Sequence, residues 1–446
     1  MTHGSPLACV LLAAGQGTRM RSRTPKVLHE ILGRTLLDWA VAACLESEPD
    51  RMLVVVSPDA DAVRERLPEG VEAAVQERPL GTGDAVRAAR AALEGFAGDV
   101  MVLYGDHPLT DPASLRELRA THAQAGAAAT VLTFERTESI GVDFGRIVRD
   151  ADGGIERIVE VRDASADERA IAEVNSGIYV FRSDDLWPAL EGLDTRNDQG
   201  ELYLTDAVGA LVAAGRPVVG HRHPDATGGL GINTRADMAA AAAVLRDRTN
   251  RAHMLAGVTI VDPATTWIDA GVELEADAIV QPFTVLRGET RVEAGAEVGP
   301  HVVAVDARIG PGAQVGPFCY LRPGADVGAD AKAGTFVEVK NSTIGARAKV
   351  SHLSYIGDAE VGEDSNIGAG NITANYDGER KQRTTIGRDV RSSSDTVFVA
   401  PVTIGDGAWT AAGSVITNDI PPDALGVART RQTNIEGYGT RKRSRS

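Results

Sequence analysis

The chain has 446 residues, enough for two or three domains, and its 43% hydrophobic and 24% charged residues are ordinary for a globular protein, which argues against wholesale disorder and fibrous structure. It carries 46 Lys and Arg against 62 Asp and Glu, a net charge of −16, which argues against binding to nucleic acid or to an anionic membrane. Any phosphate group must therefore be met by local cations.

The three cysteines, Cys9, Cys44 and Cys319, are widely spaced and include no Cys-x-x-Cys pair, so neither a disulfide framework nor a zinc site is indicated. No run approaches the roughly 18 apolar residues that span a bilayer, and the first residues lack a charged segment typical of signal peptides. We therefore expect a cytoplasmic protein without membrane insertion. The basic end at residues 441–445 is expected to be solvated and to carry no chemistry.

Residues 7–230 alternate short aliphatic runs with longer helix-like segments, which predicts an α/β fold with a mainly parallel sheet. Strands are predicted at residues 8–13, 52–57, 100–104, 128–134 and 177–181. An alanine-rich stretch without glycine or proline follows at residues 234–256 and predicts one long connector helix.

From residue 257 onward, aliphatic side chains recur every six residues, usually followed by glycine or another small residue. The register runs through Ile309, Val315, Leu321, Val327, Ala333 and Val339, then Ile344, Val350 and Ile356, then Val361 and Ile367, with Ile386 and Ile404 more raggedly. This repeat predicts a parallel β-helix, in which each short strand stacks its aliphatic residue on the coil below. The alternative is a glycine-rich loop region with chance spacing, which six consecutive positions in register disfavour.

The first predicted strand runs into Ala14-Gly15-Gln16-Gly17-Thr18-Arg19-Met20, whose glycines let backbone amides approach a phosphate and whose Arg19 supplies a cation. No Gly-Lys-Ser/Thr follows, and Met20 stands where a dinucleotide fingerprint needs its third glycine, so both of those motifs are absent. A tight structural turn would require the same glycines, and the loop alone does not decide between the two roles.

Asp106 follows the aliphatic strand at residues 100–104, where ligand crevices of open α/β sheets lie. Its carboxylate suits Mg²⁺, which prefers one or two carboxylates together with substrate phosphates. The alternative is that Asp106 only caps the following turn, and its position does not separate these two roles.

Taken together, residues 12–20, Pro25-Lys26, Gly81-Thr82-Gly83 and Tyr104-Gly105-Asp106 resemble the sugar-1-phosphate nucleotidyltransferases. With the hexapeptide repeat behind them, residues 7–435 resemble the bifunctional bacterial enzymes that make UDP-N-acetylglucosamine. These join an N-acetylglucosamine-1-phosphate uridyltransferase to a glucosamine-1-phosphate acetyltransferase. The resemblance implies a Rossmann-like nucleotidyltransferase domain with a mixed, mainly parallel sheet at residues 1–233, a connector helix at 234–256, and a left-handed parallel β-helix with acetyltransferase activity at 257–446.

The resemblance also implies the residues of the uridyl-transfer site. Uracil and ribose would be held by Leu12, Ala13, Ala14, Gly15, Gln76, Gly81 and Thr82, and the sugar side would be lined by Tyr104, Gly105, Asp106, Gly145, Glu160 and Asn175. Asp106 and Asn233 would hold Mg²⁺, although Asn233 alone would read as the start of the connector helix. Arg19, Lys26 and the metal would align UTP and neutralise its charge, because the sugar phosphate is already a nucleophile.

The chain departs from that family at several positions. Gln16 stands where many relatives carry lysine, Asp84 where histidine is usual, and Val142-Asp143-Phe144 replaces the usual turn before Gly145. A lost cation and an added carboxylate predict a weaker hold on the triphosphate or an altered metal dependence. In the second half, residues 391–393 replace bulkier apolar residues, and Ser392 is expected to place a hydroxyl at an inward, aliphatic position and to loosen the structure locally.

Polar residues interrupt the hexapeptide repeat at residues 351–358 and again at 371–381, and such excursions usually build a binding surface. A histidine in a strand is more often structural, but His352 is bracketed by Ser351, Ser354 and Tyr355 rather than by apolar residues. An imidazole that titrates near operating pH can take the proton of an amine as it attacks a thioester. In the family that the chain resembles, this histidine is the general base, and Glu338 is a suggested partner.

The remaining assignments of the acetyl-transfer site come from the resemblance. Glucosamine-1-phosphate would be held by Arg322, Lys340, Tyr355, Asn366 and Lys381, and acetyl-CoA by Asn375, Tyr376, Ser394, Ala412 and Arg429. The alternative for each cation alone is a solvated surface charge. The resemblance further implies a homotrimer, because the family packs three such β-helices together.

These observations predict an enzyme with two active sites, which acetylates glucosamine-1-phosphate with acetyl-CoA and then transfers a uridylyl group from UTP to N-acetylglucosamine-1-phosphate. Mg²⁺ is the expected cofactor and acetyl-CoA a co-substrate. One alternative keeps the nucleotidyltransferase and makes the β-helix a non-catalytic assembly module. Another treats the whole chain as a binding module for UDP-sugars.

Overall fold

A computed structural model describes residues 5–15, 17–137 and 140–444. The chain divides into two compact units, Met1–Leu245 and Arg246–Ser446, so that the division falls inside one long helix. Gln16 and Arg445, both singled out by the sequence, lie outside the described residues.

The first unit is built on a mixed sheet. The strands of this unit are β1 (Leu7–Leu12), β2 (Glu30–Ile31), β3 (Arg34–Thr35), β4 (Arg51–Val56), β5 (Val71–Val75), β6 (Asp99–Tyr104), β7 (Ala129–Glu135), β8 (Arg146–Arg149), β9 (Ile155–Val159), β10 (Glu173–Arg182) and β11 (Val218–Arg222). The strands β2 and β3 pair with each other in a small separate sheet, and the others form the mixed sheet. The order is β11-β7-β10-β6-β1-β4-β5, in which only β10 runs antiparallel to its neighbours. The five predicted strands are confirmed, each within a few residues.

Helices cover both faces of this sheet, and for that reason β1 is buried along its whole length. The helices of this unit are α1 (Leu36–Leu45), α2 (Asp61–Arg64), α3 (Thr82–Ala88), α4 (Pro112–Ala125), α5 (Ala166–Ala170), α6 (Ser183–Glu191) and α7 (Leu204–Ala213), with 3₁₀ turns at Thr18–Met20, Lys26–Leu28 and Ala226–Gly229. The long helix α8 (Arg235–Leu255) follows them and contains the division between the two units. None of the described helices is long and apolar enough to cross a membrane.

The parallel strands β1, β4, β5 and β6 end at one edge of the sheet. The segments that follow them therefore meet there, including the glycine loop after β1, Gln76 after β5 and Asp106 after β6. This is the edge at which ligands bind in open α/β sheets.

The second unit is a β-helix in which successive strands join three parallel sheets in turn. The first face contains Thr259–Ile260, Ile279–Val280, Glu297–Val298, Gln314–Val315, Lys332–Thr335, Lys349–His352 and Asn366–Ile367. The second contains Trp267–Ile268, Val285–Arg287, Val303–Val305, Tyr320–Leu321, Glu338–Lys340, Tyr355–Gly357, Ile372–Ala374, Val397–Val399 and Val415–Ile416. The third contains Glu273–Leu274, Arg291–Val292, Arg308–Ile309, Asp326–Val327, Thr343–Ile344, Ala359–Val361, Thr384–Ile386 and Val402–Ile404.

The aliphatic side chains of the hexapeptide repeat fill the interior of this coil. Every aliphatic position of the predicted repeat, from Ile309 to Ile404, is buried in one continuous core. The predicted parallel β-helix is confirmed, while its left-handed winding stays a prediction. Two further strands, Trp409–Thr410 and Leu425–Gly426, pair near its end, and a short exposed helix, α9 (Tyr438–Arg443), follows.

Candidate active sites

A cavity of about 500 Å³ opens at the carboxyl edge of the first sheet. Its lining includes ten of the residues assigned to the nucleotide site, which are Leu12, Ala13, Ala14, Gly15, Lys26, Gln76, Gly81, Thr82, Tyr104 and Asp106. Gly105 packs against the same wall, since its N–H bonds the Leu12 carbonyl oxygen at 2.9 Å. Segments that lie far apart in the sequence therefore share one pocket.

Two cations and two oxygen ligands converge beside this pocket. Arg19 donates to Asn233 Oδ1 at 2.8 Å, and Lys26 Nζ lies 3.4 Å from the same oxygen. Lys26 also forms an ion pair with Asp106 Oδ2, and both side chains are largely buried. The arrangement requires a glycine at Gly17, because its backbone is left-handed and a Cβ there would lie 2.6 Å from Lys26 Cβ.

The oxygen set fits a hard divalent cation. Asp106 Oδ1 is buried and accepts no hydrogen bond from the described residues, and the amide oxygen of Asn233 lies beside the same Lys26. Carboxylate and amide oxygens are the ligands that Mg²⁺ takes, with the remainder supplied by phosphates and water. The described residues contain no cluster of three or more His, Cys, Asp or Glu that could hold a metal ion.

The side chain of Asn233 does not cap α8. The cap is formed by Thr234 and Asp237, since Asp237 N–H bonds the Thr234 hydroxyl while Asp237 Oδ2 accepts from the Thr234 N–H. The backbone N–H of Asn233 also bonds Asp237 Oδ2 at 3.0 Å. The helix-start alternative for Asn233 is therefore wrong, and its amide oxygen points to Arg19 and Lys26.

The residues assigned to the sugar side form a cluster next to Tyr104. Asn175 N–H bonds the Gly145 carbonyl oxygen at 2.9 Å, and a Cβ on Gly145 would lie 3.6 Å from the Glu160 carboxylate. Burial raises the pKa of Glu160 above its ordinary value despite a hydrogen bond from Thr205. Burial, with the charges of Glu160 and Asp106, also raises the pKa of Tyr104, so its phenol stays protonated and able to donate.

The departures of this unit are accommodated by local contacts. Asp84 accepts a hydrogen bond from Gln76 Nε2 at 3.0 Å. The turn at residues 142–144 is held by the buried Arg146, which donates to the carbonyl oxygens of Val142 and Phe144. The effect of these departures on uridyl transfer stays a prediction.

In the second unit, four of the five residues assigned to glucosamine-1-phosphate come together. Lys340 lies 3.6 Å from Asp358, which also accepts hydrogen bonds from Asn341 and Asn375. Asn375 in turn lies 3.4 Å from the Tyr355 hydroxyl. The Lys340 ammonium lies beside Lys381 and lowers the pKa of Lys381, and Arg322 adds to that effect. This cation cluster, Arg322, Lys340 and Lys381, is suited to a phosphate.

His352 ends a strand at the corner between the first and second faces, and its side chain is exposed. An exposed imidazole is open to an amine substrate and can pass a proton to water. Glu338, the suggested partner, instead accepts a hydrogen bond from Arg322 at 2.9 Å. Within the described residues, the His352 side chain has no carboxylate partner.

Asn366 and three of the five acetyl-CoA residues have neighbours other than Asp358. Asn366 lines a cavity of about 730 Å³ on the first face, together with Lys349 and Arg391. Ser394, Ala412 and Arg429 are neighbours near the last coils, because Gly413 N–H bonds the Ser394 carbonyl oxygen and a Cβ on Gly413 would lie 4.0 Å from Arg429 Cδ. Asn375 and Tyr376 belong to the excursion near Asp358.

The inward hydroxyl predicted at Ser392 is present and is fully bonded. Ser392 Oγ donates to Asn371 Oδ1 at 3.0 Å and accepts from the Gly368 N–H at 3.0 Å. Asn371 is itself buried and donates to the Gly368 and Ser393 carbonyl oxygens. A satisfied polar network thus occupies this position, and the structure shows no loosening there.

Comparisons with known proteins find relatives over nearly the whole chain. The family described as the MobA-like NTP transferase domain matches residues 9–214. The chain is 50% identical to the bifunctional protein GlmU of Streptomyces avermitilis, over 98% of this chain and 95% of that protein. It is 46% identical to the bifunctional protein GlmU of Mycobacterium tuberculosis, over 99% of this chain and 94% of that protein.

The chain belongs to the GlmU family. It is a bifunctional transferase, with the uridyltransferase and acetyltransferase activities that its motifs predicted. Membership of the GlmU family over nearly the whole chain disfavours both the scaffold alternative for the β-helix and the pure binding module. The roles of individual residues stay predictions.

Some residues of this GlmU-family chain were not predicted. Val27, Pro79, Ala85 and Glu201 also line the first pocket, and Asp358 lies at the centre of the second cluster. Asp358 stands in the polar segment at residues 351–358, which was the available signal. Glu201 comes from the segment before α7, where no motif marks it.

Proposed function

We propose that the first pocket transfers a uridylyl group from UTP to N-acetylglucosamine-1-phosphate, and that the cluster around Asp358 acetylates glucosamine-1-phosphate with acetyl-CoA. The observation that carries the first assignment is the meeting of Arg19, Lys26, Asp106 and Asn233 at one pocket edge. The cation cluster beside Tyr355 supports the second.

In the uridyl site, the pocket walls would hold the base and ribose while Arg19 and Lys26 hold the phosphates. The sugar phosphate oxygen attacks the α-phosphorus, a new P–O bond forms, and pyrophosphate leaves. Because the nucleophile is already anionic, alignment and charge neutralisation are the main requirements. Asp106 and Asn233 would hold Mg²⁺, which supplies further neutralisation of the phosphates when bound.

In the acetyl site, Arg322, Lys340 and Lys381 would hold the sugar phosphate and Tyr355 its ring. The amine attacks the thioester carbonyl carbon, a C–N bond forms, and the thiol of CoA leaves. His352 would take the proton from the attacking nitrogen, a role that its exposure permits.

We further propose that the chain works as a homotrimer. Phe283, His301, Phe318 and Phe336 form a stacked and exposed ladder with ring centroids 4.7–5.2 Å apart. The ladder continues at Leu353, whose side chain is 63% exposed. Leu353 is the neighbour of His352 in the sequence. Exposed apolar stripes of this kind mark interfaces. Further copies of this chain would cover the ladder and bring Asn366 or Ser394 of one chain to the His352 corner of another.

One experiment tests both activities. The full chain is supplied with glucosamine-1-phosphate, acetyl-CoA, UTP and Mg²⁺, and the product is identified by mass, with free thiol and pyrophosphate measured separately. Formation of UDP-N-acetylglucosamine is expected. Pyrophosphate release only from pre-acetylated substrate, with no thiol release, would show that the β-helix is not catalytic. Light scattering should give the mass of three chains, and a monomer with full acetyl transfer would contradict the trimer.

We place the protein in the cytoplasm. Its three cysteines are buried free thiols, which is the usual state of cysteine in a reducing compartment.

A further inference from the structure

The side-chain amide of Gln76 has its orientation fixed by two acceptors. Gln76 follows β5 and is buried in the wall of the first pocket. Its Nε2 donates to the Gly81 carbonyl oxygen at 3.2 Å and to Asp84 Oδ2 at 3.0 Å. An amide nitrogen carries two N–H donors, so both are used. The Oε1 of Gln76 accepts no hydrogen bond from the described residues.

The two partners determine which way the amide faces. A carbonyl oxygen and a carboxylate accept hydrogen bonds and donate none, so a flipped amide would set Gln76 Oε1 against two acceptors. The Gly81 carbonyl oxygen could hold one N–H by itself, but any residue at position 81 would supply that backbone oxygen. The Asp84 side chain is therefore the contact that depends on residue type and fixes the orientation of the Gln76 amide. Asp84 lies in the first turn of α3.

The group of Gln76 that stays available to a ligand is its amide oxygen, which is a hydrogen-bond acceptor. Uracil presents an N3–H donor, whereas cytosine presents an N3 acceptor beside an amino group. A fixed amide oxygen in the pocket wall can accept from the uracil N3–H and has nothing to offer the cytosine N3. Buried hydrogen-bonding groups that are wrongly matched discriminate strongly between ligands.

We propose that Asp84 is a positioning residue that makes the first pocket select uridine over cytidine nucleotides, by holding the Gln76 amide with its oxygen toward the base. The inference rests on the proposed uridylyl transfer in this pocket. It also gives the added carboxylate at position 84 a function other than weakening the hold on the triphosphate.

The test is the nucleotide preference of Asp84→Asn in the full chain. The amide that this substitution introduces can present either an acceptor or a donor to Gln76, so position 84 no longer opposes the flipped orientation in which Nε2 faces the base. Pyrophosphate release is measured with UTP and with CTP, using N-acetylglucosamine-1-phosphate and Mg²⁺. The ratio of kcat/KM for UTP to that for CTP should fall roughly tenfold or more, with most of the change in KM. Calorimetric titration with UTP and CTP should show the same shift in Kd.

Two further variants make the result decisive. Asp61→Asn changes the same charge at the exposed start of α2 and should leave the ratio at its wild-type value. Asp84→Ser places a hydroxyl that can also donate to Gln76 Oε1, and it replaces Asp84→Asn if circular dichroism shows the latter unfolded.

Each outcome has one meaning. A fall in the UTP to CTP ratio supports the proposal. An unchanged ratio, or an equal loss for both nucleotides, overturns it and leaves Asp84 with a purely structural contact. If the wild-type chain releases no pyrophosphate from UTP, the proposed function of the pocket fails instead, independently of Asp84.

Discussion

Arg19 donates a hydrogen bond to Asn233 at 2.8 Å, although 214 residues separate them in the chain. Arg19 comes from the loop after the first strand, and Asn233 stands just before α8. Lys26 contacts both Asn233 and Asp106, so the four side chains form one connected group. Their convergence is the geometric basis of the predictions for the first unit.

Asp106→Asn should impair uridyl transfer and leave acetyl transfer intact. The substitution keeps the shape but removes the anionic ligand, and Lys26 loses its ion-pair partner. We expect kcat/KM for pyrophosphate release to fall roughly 10- to 100-fold or more, with a higher Mg²⁺ requirement. Mn²⁺ binding to the purified chain, followed by electron paramagnetic resonance, gives a readout independent of turnover. An unchanged metal requirement would remove Asp106 from the metal site.

Gly231→Ala should act on the same site through the backbone. Ile232 N–H bonds the Asp106 carbonyl oxygen at 2.9 Å, and a Cβ on Gly231 would lie 2.8 Å from His107 Nε2. His107 is buried and stacks on Tyr104, so it cannot move aside freely. The segment that carries Asn233 must shift, and an ångström-scale shift of a ligand costs roughly ten- to a hundredfold in rate.

The matched control for this change is Gly228→Ala, because a Cβ on Gly228 would meet nothing closer than the Leu109 carbonyl oxygen at 4.0 Å. Pyrophosphate release should be close to wild type in this variant and reduced in Gly231→Ala. Equal activity of the two variants would show that the segment tolerates the displacement.

Periodicity alone gave most of the architecture. The six-residue spacing from Ile309 to Val339 predicts an inward aliphatic stack because each short strand of a coil turns one side chain of the repeat into the interior, and all six side chains are buried. Aliphatic runs predict the strands of the first unit for a similar reason. The edge where Asp106 and the glycine loop meet then follows from parallel strand direction.

Contacts between side chains could not be predicted in the same way. The sequence marks Asp84 only as a carboxylate where the family usually has histidine, and only the packed structure shows that this carboxylate meets Gln76. The same holds for Asp358 and Lys340, which stand on successive coils and are 18 positions apart. For Asn366 the sequence grouped residues that the fold separates. It was assigned to the same substrate as the cation cluster, but it lies on another face of the coil.

His352→Ala should abolish acetyl transfer and leave uridyl transfer within a few-fold of wild type. Loss of a general base typically costs roughly 10²- to 10⁴-fold, and the exposed side chain supports no core whose loss would unfold the coil. Thiol release from acetyl-CoA and pyrophosphate release from UTP are measured on the same preparation. If both activities collapsed in a folded trimer, the two-site assignment would be wrong.

Lys381→Met should weaken the hold on the sugar phosphate. The neighbouring Lys340 lowers the pKa of Lys381, which means that the cations repel one another and that an anion between them relieves the repulsion. We expect KM for glucosamine-1-phosphate to rise roughly tenfold with a smaller change in kcat. The stabilisation of the chain by inorganic phosphate in thermal unfolding should shrink as well. Lys442→Met, on the exposed terminal helix, should change neither quantity.

Asp358→Asn should make the stability of the second unit less sensitive to acid. Burial favours the neutral form of Asp358, but hydrogen bonds from Asn341 and Asn375 and the charges of Lys340 and Lys381 outweigh it, and the net pKa lies below its ordinary value. A carboxyl group whose pKa is lowered by folding stabilises the folded state above its unfolded pKa of about 3.9, and this contribution disappears as pH falls through the folded value. At neutral pH the variant should therefore unfold at a lower temperature than wild type, and the difference should narrow steadily below roughly pH 4.

Thermal unfolding followed by circular dichroism across that pH range measures this difference in unfolding temperature. Asp277→Asn is the control, because Asp277 is exposed. A difference that stayed constant into acid would mean that Asn341, Asn375 and the two lysines do not stabilise the charged form of Asp358.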